Sequence, residues 1–451
     1  MNDDSEKLLH LAEDILRRLK DRGASEAKVI VRSGRDLSVR VRQGEVELVE
    51  EAGTHSIAVR VGKGKRIATA STSDVTSDGV ERIIGDAIEI CELSQEDPFA
   101  GLPDAALLAK KVPDLRLYDP ACGEVTAAEA LRRARACEKA ALDYDKRITN
   151  SEGGSFGRST SRFVMATSAG FRGGYQSSFA SMSASPVAAD EGGKNRRGGY
   201  WSGNRFLAKI DAEESVGREA GRRCVALLGA RKAPTSTIPV IFERDAASGL
   251  LGAFAGCIVG DSIYRRSSYL MERLGTQVAS SMVNIVDDPL LESAPGSRPF
   301  DGDGLSSRRN VVVENGVLKT FLLDTYCARK LNMESTGSAA GVTGTGAGTS
   351  NFIMAAGNES LDSIVKKTKR GLYVTSMMGF GFNAVTGDFS RGASGFWIED
   401  GEIKYPVSEV TISLNFDQLL QRIDAVANDL ELRGSIASPS FRVSEMTMAG
   451  A

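Results

Sequence analysis

The sequence predicts an α+β fold in two parts. One is an N-terminal helix-and-sheet region over residues 1–232. The other is a β-rich C-terminal domain over 233–451, built on an antiparallel, barrel-like sheet. Three observations carry this. Helical spacing of apolar residues is confined to a few segments, the strand-like runs between them come in groups, and nothing repeats as βαβ. Gly229 and Pro234 break the chain between the two β-rich stretches. A length of 451 residues suits two or three domains with large cores.

Residues 5–22 read as the first helix, because Leu8, Leu9, Ala12, Ile15, Leu16 and Leu19 recur at helical spacing and Gly23 suits its end. "DLSVRVRQGEVELVE" alternates on both sides of Gln43-Gly44 and predicts a hairpin, and "HSIAVRVGKGKRIATAST" predicts a second one around Gly62–Gly64. A helix near 78–93 places Val80, Ile83, Ile84, Ala87 and Ile88 on one face, and Pro98, Pro103 and Pro113 mark a loop. Thr126 and Glu129 form a capping-box pattern opening a helix with Leu131, Ala134, Cys137 and Leu142 on its apolar side. Residues 147–210, rich in Gly, Ser, Thr and aromatics, predict an antiparallel meander, followed by a helix through Leu228 capped by Asp211 and Glu214. The second half opens with the strand "TIPVIFE". It continues with a helix over 245–261, strands around "RRNVVVENGVLKTFLLD", a Gly-rich loop at 337–349, strands around "GFWIEDGEIKYPVSEVTISL", a helix near 416–427 and a last strand at "SFRVSEMTMAG".

Composition narrows the function. Hydrophobic residues make up 41% and charged residues 25%, as in ordinary globular proteins, and the net charge of -3 offers no basic surplus for nucleic acid. The acidic, amphipathic start is not a signal peptide, and the expected location is the cytoplasm. The longest uncharged apolar run lies between Asp245 and Asp261. As a helix it spans roughly 22 Å, short of the ~30 Å a bilayer requires, so no membrane span is expected. Six cysteines without a CxxC pair read as buried thiols in a reducing compartment. The only two histidines, His10 and His55, lie near the N-terminus and leave no imidazole for a site elsewhere.

Several motifs read as structure. "GGSFG" (153–157) matches the nucleophile-elbow pattern, but no histidine follows it and its surroundings are strand-like, so it predicts a Gly-rich hairpin. "GSAAGVTGTGAGTSN" lacks a phosphate-loop pattern and predicts a loop at the edge of a cleft. "DGDG" (301–304) and Asp287-Asp288 lack the further oxygen ligands of a calcium loop, and the Asp-Gly pairs predict turns. The most site-like stretch is 386–409, where Asp388, Arg391 and Trp397 combine charge and an aromatic in a Gly-rich frame; a structural Asp–Arg pair beside a core Trp is the competing reading.

"TGDFSRGASGFWIEDGEIKYPVSEVTI" closely resembles the C-terminal signature of the TldD/PmbA family, on its PmbA (TldE) branch. "NSEGGSFGRSTSRFVMATSAGF", "GCIVGDSIYRRSSYL", "RPFDGDGLSSRRNVVVENGVLKTFLLDTYCARKLN", "TSNFIMAAGN" and "VANDLELR" agree in order, from about residue 25 to the C-terminus. The resemblance implies a cytoplasmic metalloprotease assembled from a TldD-like and a TldE-like chain, acting on small or unfolded peptides and carrying an old label as a modulator of DNA gyrase. It implies a metal, zinc or iron, in the TldD-like partner, held by an H-E-x-x-x-H helix and a C-terminal cysteine. The 245–261 run falls where that helix lies, yet holds neither His nor Glu, and no cysteine follows Cys327. Ser338-Ala339 also stand where PmbA-like sequences often have a histidine after "STG".

The expectation is therefore a subunit with no catalytic residue, metal or cofactor of its own. It pairs with a TldD-like chain, or with itself when alone, and binds peptide but neither nucleic acid nor membrane. Asp388, Arg391, Trp397, Arg265 and Arg266 are the expected peptide-channel contacts, against a plain solvated turn for the two arginines. On the 245–261 helix, Leu250, Leu251, Phe254 and Ile258 are expected to face the core. Gly252, Gly256 and Gly260 are expected to admit a neighbouring backbone. The alternatives are an independent metallopeptidase using Cys257 with carboxylates, and a non-enzymatic regulator of DNA gyrase.

Overall fold

Helix α1 (Asp3–Asp21) buries Leu9, Ala12, Ile15 and Leu19, the stripe its spacing predicts. Strands β1 (Glu26–Arg42) and β2 (Glu45–Lys63) follow, joined at Gln43 and Gly44, whose φ of 52° and 79° suit a two-residue hairpin turn. The N-terminal region continues with β3 (Arg66–Thr72), α2 (Ser77–Leu93), α3 (Pro120–Glu124), α4 (Ala127–Leu142), β4 (Ile148–Thr167), β5 (Arg172–Ala189), β6 (Asn195–Arg197), β7 (Tyr200–Asn204) and α5 (Glu213–Val225). Its strands form one sheet in the order β3-β2-β1-β4-β5-β6, with β7 also paired to β5. This computed structural model describes residues 3–340 and 346–450.

The period of two along β1 divides that sheet into two faces. Val29 and Val31 lie under α1 and α2 with Leu9, Ile15, Val80 and Ile84. Leu37, Val39 and Val41 lie on the same face under α4 and α5, with Ala134, Cys137 and Ala220. Ile30 points the other way, into a cluster with Phe163, Met165, Phe171 and Phe300, and Phe300 belongs to the second half of the chain.

That half contains β8 (Ser236–Phe242), α6 (Arg244–Cys257), α7 (Gly260–Tyr264), β9 (Ile285–Asp287), β10 (Asn310–Glu314), β11 (Val317–Leu318), α8 (Thr325–Leu331), β12 (Phe352–Met354), α9 (Leu361–Lys366), β13 (Arg370–Met378), β14 (Asp388–Glu399), β15 (Glu402–Asn415), α10 (Phe416–Gln421), β16 (Ile423–Val426), β17 (Ile436–Ala437) and β18 (Phe441–Ala449). Pairing runs β15-β14-β13-β8-β18, and β18 returns to β15, closing a five-stranded barrel with β16 attached outside it. The α+β class and the barrel-like C-terminal sheet are as predicted, with β8 and β13 forming a parallel pair inside the barrel.

Several predicted boundaries move. The 245–261 helix stops at Cys257: Ile258 leaves helical geometry and Val259 is extended before α7 begins. The helix near 416–427 ends at Gln421, because Ile423 and Val426 pair with β18 as strand β16. Helix α5 begins after Ala212 without a side-chain cap, and the Asp211 amide instead donates to Ser202 Oγ. Thr126 caps α4 through the Glu129 amide, but the Glu129 carboxylate turns to Arg132 and Arg133 and leaves the capping box half made.

The two halves are joined by buried polar contacts. Lys28 Nζ of β1 donates to Gly302 O at 2.7 Å and lies 3.5 Å from Asp303 Oδ1. Arg329 of α8 donates to the carbonyls of Phe99, Gly101 and Leu102, and Arg205 to those of Ala294 and Pro295.

Candidate functional site

Helix α6 starts from Glu243, whose Oε2 accepts the Asp245 amide at 3.1 Å. Burial and the Asp245 charge push the Glu243 carboxyl up, against the pull of Arg223 at 3.5 Å. Ala247, Leu250, Leu251, Phe254 and Cys257 are buried in the main C-terminal core. The opposite side carries Asp245, Ser248, Gly249, Gly252, Ala253 and Gly256, with Asp245, Gly249 and Gly256 exposed.

The expected glycine-against-backbone contact is corrected here. A methyl group added at Gly252 would touch only the Ile436 side chain, at 3.6 Å, and one at Gly256 would meet nothing within 4 Å. Only Gly260 is tightly enclosed, with Cys327 Cβ 2.4 Å from such a methyl, and it belongs to α7. The small-residue face of α6 is therefore open.

The donors on α6 do not fit a hydrolytic metal centre. Asp245 and Cys257 stand at opposite ends, about 18 Å apart along the axis, whereas zinc draws its ligands to about 2.0–2.3 Å. The Cys257 thiol donates to Ala253 O at 3.4 Å, and burial pushes its pKa up to about 12. Among the described residues no three His, Cys, Asp or Glu side chains converge as a ligand set.

Beyond the end of α6 lies a polar knot that sequence reasoning missed. Asp324 caps α8 by accepting the Cys327 amide at 2.7 Å and also accepts the Gly346 amide at 2.7 Å. Asp261 Oδ2 accepts the Ala347 amide at 3.3 Å and lies 3.7 Å from Cys327 Sγ. Burial, then Asp324 and Asp261, push the Cys327 thiol up. Two carboxylates thus pin one side of the Gly-rich 337–349 loop; its residues 341–345 lie outside the described residues. Asp324 follows the apolar run Phe321–Leu323, which hides it as a cap, and only its place before a short helix could have signalled it.

The structure separates the predicted contact residues. Asp388 is exposed at the start of β14, where it accepts from Thr386 Oγ1 at 2.7 Å and from Asn415 Nδ2 at 3.3 Å. No ion pair joins it to Arg391 among the described residues, and Arg391 Nε is buried without a hydrogen-bond partner. Trp397 lies nine residues further along β14, roughly 30 Å from Asp388. It is 4% exposed, stacks on Tyr405, and has Arg370 over its ring. Arg265 and Arg266 are exposed just after α7: Arg265 Nε donates to Tyr264 OH at 2.9 Å, and Arg266 holds a φ of 56°. The chain after them meets the turn before β14, where the Tyr269 amide donates to Ala384 O at 2.8 Å. That turn exposes Met378, Phe380 and Val385. Asp388 and the two arginines are thus linked through one end of the barrel, while Trp397 belongs to its core.

The "DGDG" aspartates act as turn formers. Asp301 Oδ1 accepts the Asp303 and Leu305 amides and its Oδ2 the Ala339 amide, while Asp303 Oδ2 accepts the Thr325 amide. "GGSFG" lies within β4, and Ser155 Oγ is 2.8 Å from Ser183 Oγ of β5 in an ordinary cross-strand pair. His10 is on α1 and His55 on β2.

The molecule thus joins a helix-on-sheet region to a closed five-stranded barrel with a core helix at the barrel's side. Residues 27–91, 120–228 and 235–450 match, respectively, domain 1, the central domain and the C-terminal domain of PmbA/TldA metallopeptidases. The chain belongs to the PmbA/TldD family. It is 39% identical to Metalloprotease PmbA of Escherichia coli O157:H7 over 94% of this chain and 92% of that one. A Bacteroides thetaiotaomicron structure described as a modulator of DNA gyrase superposes with a TM-score of 0.92 at 26% identity, covering all of both chains. TldE from Thermococcus kodakarensis shares the fold, with a TM-score of 0.87 at 23% identity over 98% of this chain and 100% of that one.

Proposed function

We propose that this chain is the TldE-type, non-catalytic subunit of a two-chain cytoplasmic metallopeptidase. A homologous TldD-like chain holds the metal, zinc or iron, and the pair degrades small or unfolded peptides. The observation that carries this reading is α6: its packed face is complete, while its open face has one ionisable side chain, Asp245 at the helix start, tied to Arg223 and Arg433, and beyond it only Ser248, Gly249, Gly252, Ala253 and Gly256. Among the described residues no helix is long and apolar enough to cross a membrane, which agrees with action on dissolved peptides.

In this reading the chain helps enclose the space where peptide is held. Arg265, Arg266 and Asp388 at the barrel end contact peptide backbone and termini, and Arg391 and Trp397 support that surface from within the barrel. The region over 1–232 and the domain over 233–451 act as two structural units. The test is expression of each chain alone and both together, with metal content and peptide cleavage measured on all three. Metal and cleavage are expected in the pair, with the metal traced to the partner. Stoichiometric metal and cleavage in this chain alone overturn the reading.

A further inference from the structure

The seven-stranded sheet ends on an edge that no strand covers among the described residues. Strand β3 pairs with β2 only from Ile57 to Lys63, so residues 45–56 of β2 are bonded to β1 on one side and to no strand on the other. That is about 40 Å of open edge. Val46, Leu48 and Val49 are exposed along it at 44%, 38% and 47%. Val49 pairs with Val39 and Val46 with Val41, and both of those partners are fully buried under α4, so the core beneath that helix runs out to the edge unfinished.

The turn that leads into the edge is anchored to α4. The Glu138 carboxylate of α4, 1% exposed, accepts the Gln43 amide at 3.0 Å and the Gly44 amide at 2.9 Å, and Arg135 Nε donates to Gly44 O. A free edge of this kind invites strand addition, and natural sheets normally blunt it with charged side chains, lysine above all, with proline or with a covering element. Here the charge is acidic, from Glu45, Glu47, Glu50 and Glu51, which repels an acidic strand and leaves a basic one free to pair. Arg42 faces Glu47, and Arg35 and Arg158 face Glu51, but Glu45 and Glu50 have no ion-pair partner among the described residues.

We infer that residues 45–56 of β2 are the docking edge for an extended, lysine- or arginine-bearing strand of the homologous partner subunit; this rests on the two-subunit reading above. Charge selects that occupant over a second copy. Two copies pairing antiparallel about residue 48 or 49 set Glu45 or Glu47 against Glu51, and like charges directly opposite are destabilising. Entropy selects it over a loose peptide. A strand already ordered in a folded subunit has lost its backbone freedom, which a free peptide gives up at every residue it adds.

The experiment is hydrogen exchange on this chain alone and on its complex with a co-expressed TldD-like chain, together with the affinity of the pair for the parent and for Glu45→Lys/Glu50→Lys. Amides within 45–56 are expected to slow at least tenfold in the complex. The double charge reversal is expected to weaken pairing by about tenfold at low salt, and less at high salt. A complex that leaves 45–56 exchanging as in the free chain overturns the edge assignment and leaves the subunit reading intact. Slowing of 45–56 in this chain alone as its concentration rises assigns the edge to a second copy and overturns the choice of occupant. Absence of any complex overturns both readings. The exchange measurement uses the unaltered chain, free and in the complex, so it stands even if the variant fails to fold.

Discussion

Replacing Lys28 by methionine should loosen the joint between the two halves of the molecule by about 3 kcal/mol. Lys28 is 1% exposed, and its ammonium lies between Gly302 O at 2.7 Å and Asp303 Oδ1 at 3.5 Å. Burial acts to raise the Asp303 carboxyl, but Lys28, the Thr325 contact and Arg60 together hold it below its ordinary value, the sign of an ionised group. The same burial lowers the Lys28 ammonium, with Asp303 pulling against it. Removing one partner of a buried pair costs about 3–5 kcal/mol, since the other charge is left uncompensated. The Thr325 amide and the nearby Arg60 remain beside Asp303, which places the cost at the lower end. In Lys28→Met/Asp303→Asn the stranded charge is gone and an amide oxygen can still accept from Thr325, so the double variant should cost less than the two singles added, by about 2 kcal/mol. The assay is urea unfolding followed by tryptophan fluorescence. The chain has two tryptophans, Trp201 in the N-terminal sheet and Trp397 in the barrel, so Trp→Phe at either reports on one half at a time. A Lys28→Met cost below about 1 kcal/mol, or a double variant at the full sum, would refute the argument.

Three further outcomes follow from named contacts. Asp301 is pushed up to about 7, first by burial and then by Asp303. An acid raised above its ordinary value of about 3.9 binds more protons folded than unfolded, so its contribution is full below about pH 4 and is lost as pH rises toward 7. Subtracting the Asp301→Asn stability profile from the parent's should leave a curve falling across that window, and a rising curve would contradict the assignment. All six cysteines are free and buried, and Cys257 and Cys137 are pushed up to about 12, so a thiol reagent should label the native chain slowly and all six sites after unfolding; rapid native labelling of Cys257 would revive it as a ligand. Gly252→Ala should be neutral or stabilise by up to about 1 kcal/mol, whereas Gly260→Ala should destabilise by about 1–3 kcal/mol through its clash with Cys327, both read from thermal unfolding.

Much of the fold was legible because burial imposes periodicity. The α1 stripe, the Gln43-Gly44 hairpin, the Thr126 cap and the β14–β15 hairpin each follow from residues within one short window. What failed was set by distant partners. Asp211 looks like a cap until Ser202, nine residues earlier, takes its amide. Ile423 and Val426 continue a helical pattern until β18 offers them a ladder. The site region was legible mainly as a lack: two histidines, neither of them in the second half. Its positive features were not. Lys28 and Asp303 are separated by 275 positions, and nothing local marks a lysine in a strand as buried. Asp388 and Trp397 share one segment of sequence, but an extended strand carries them to different surroundings.

The two faces of α6 explain how such a scaffold can stand without a metal-ligand set on that helix. Its stability comes from Leu250, Leu251, Phe254 and Cys257, packed in the core, and from the Glu243 cap at its start. The open face adds almost nothing to that packing, since a methyl at Gly249 or Gly252 would reach only the ends of the Met377 and Ile436 side chains. Side chains on that face are therefore free to vary without loss of the fold. A metal-binding set there would need second-shell hydrogen bonds to orient its ligands. The polar groups near the helix are already committed: Ser248 Oγ accepts the Ser438 amide, Asp429 takes both the Ser440 amide and hydroxyl, and Asp261 and Asp324 hold the neck of the Gly-rich loop. Placing His and Glu on α6 alone would supply ligands without supports, so such a variant should fold yet bind metal weakly, and the support would have to be built from β17, β18 and α8 before it could act.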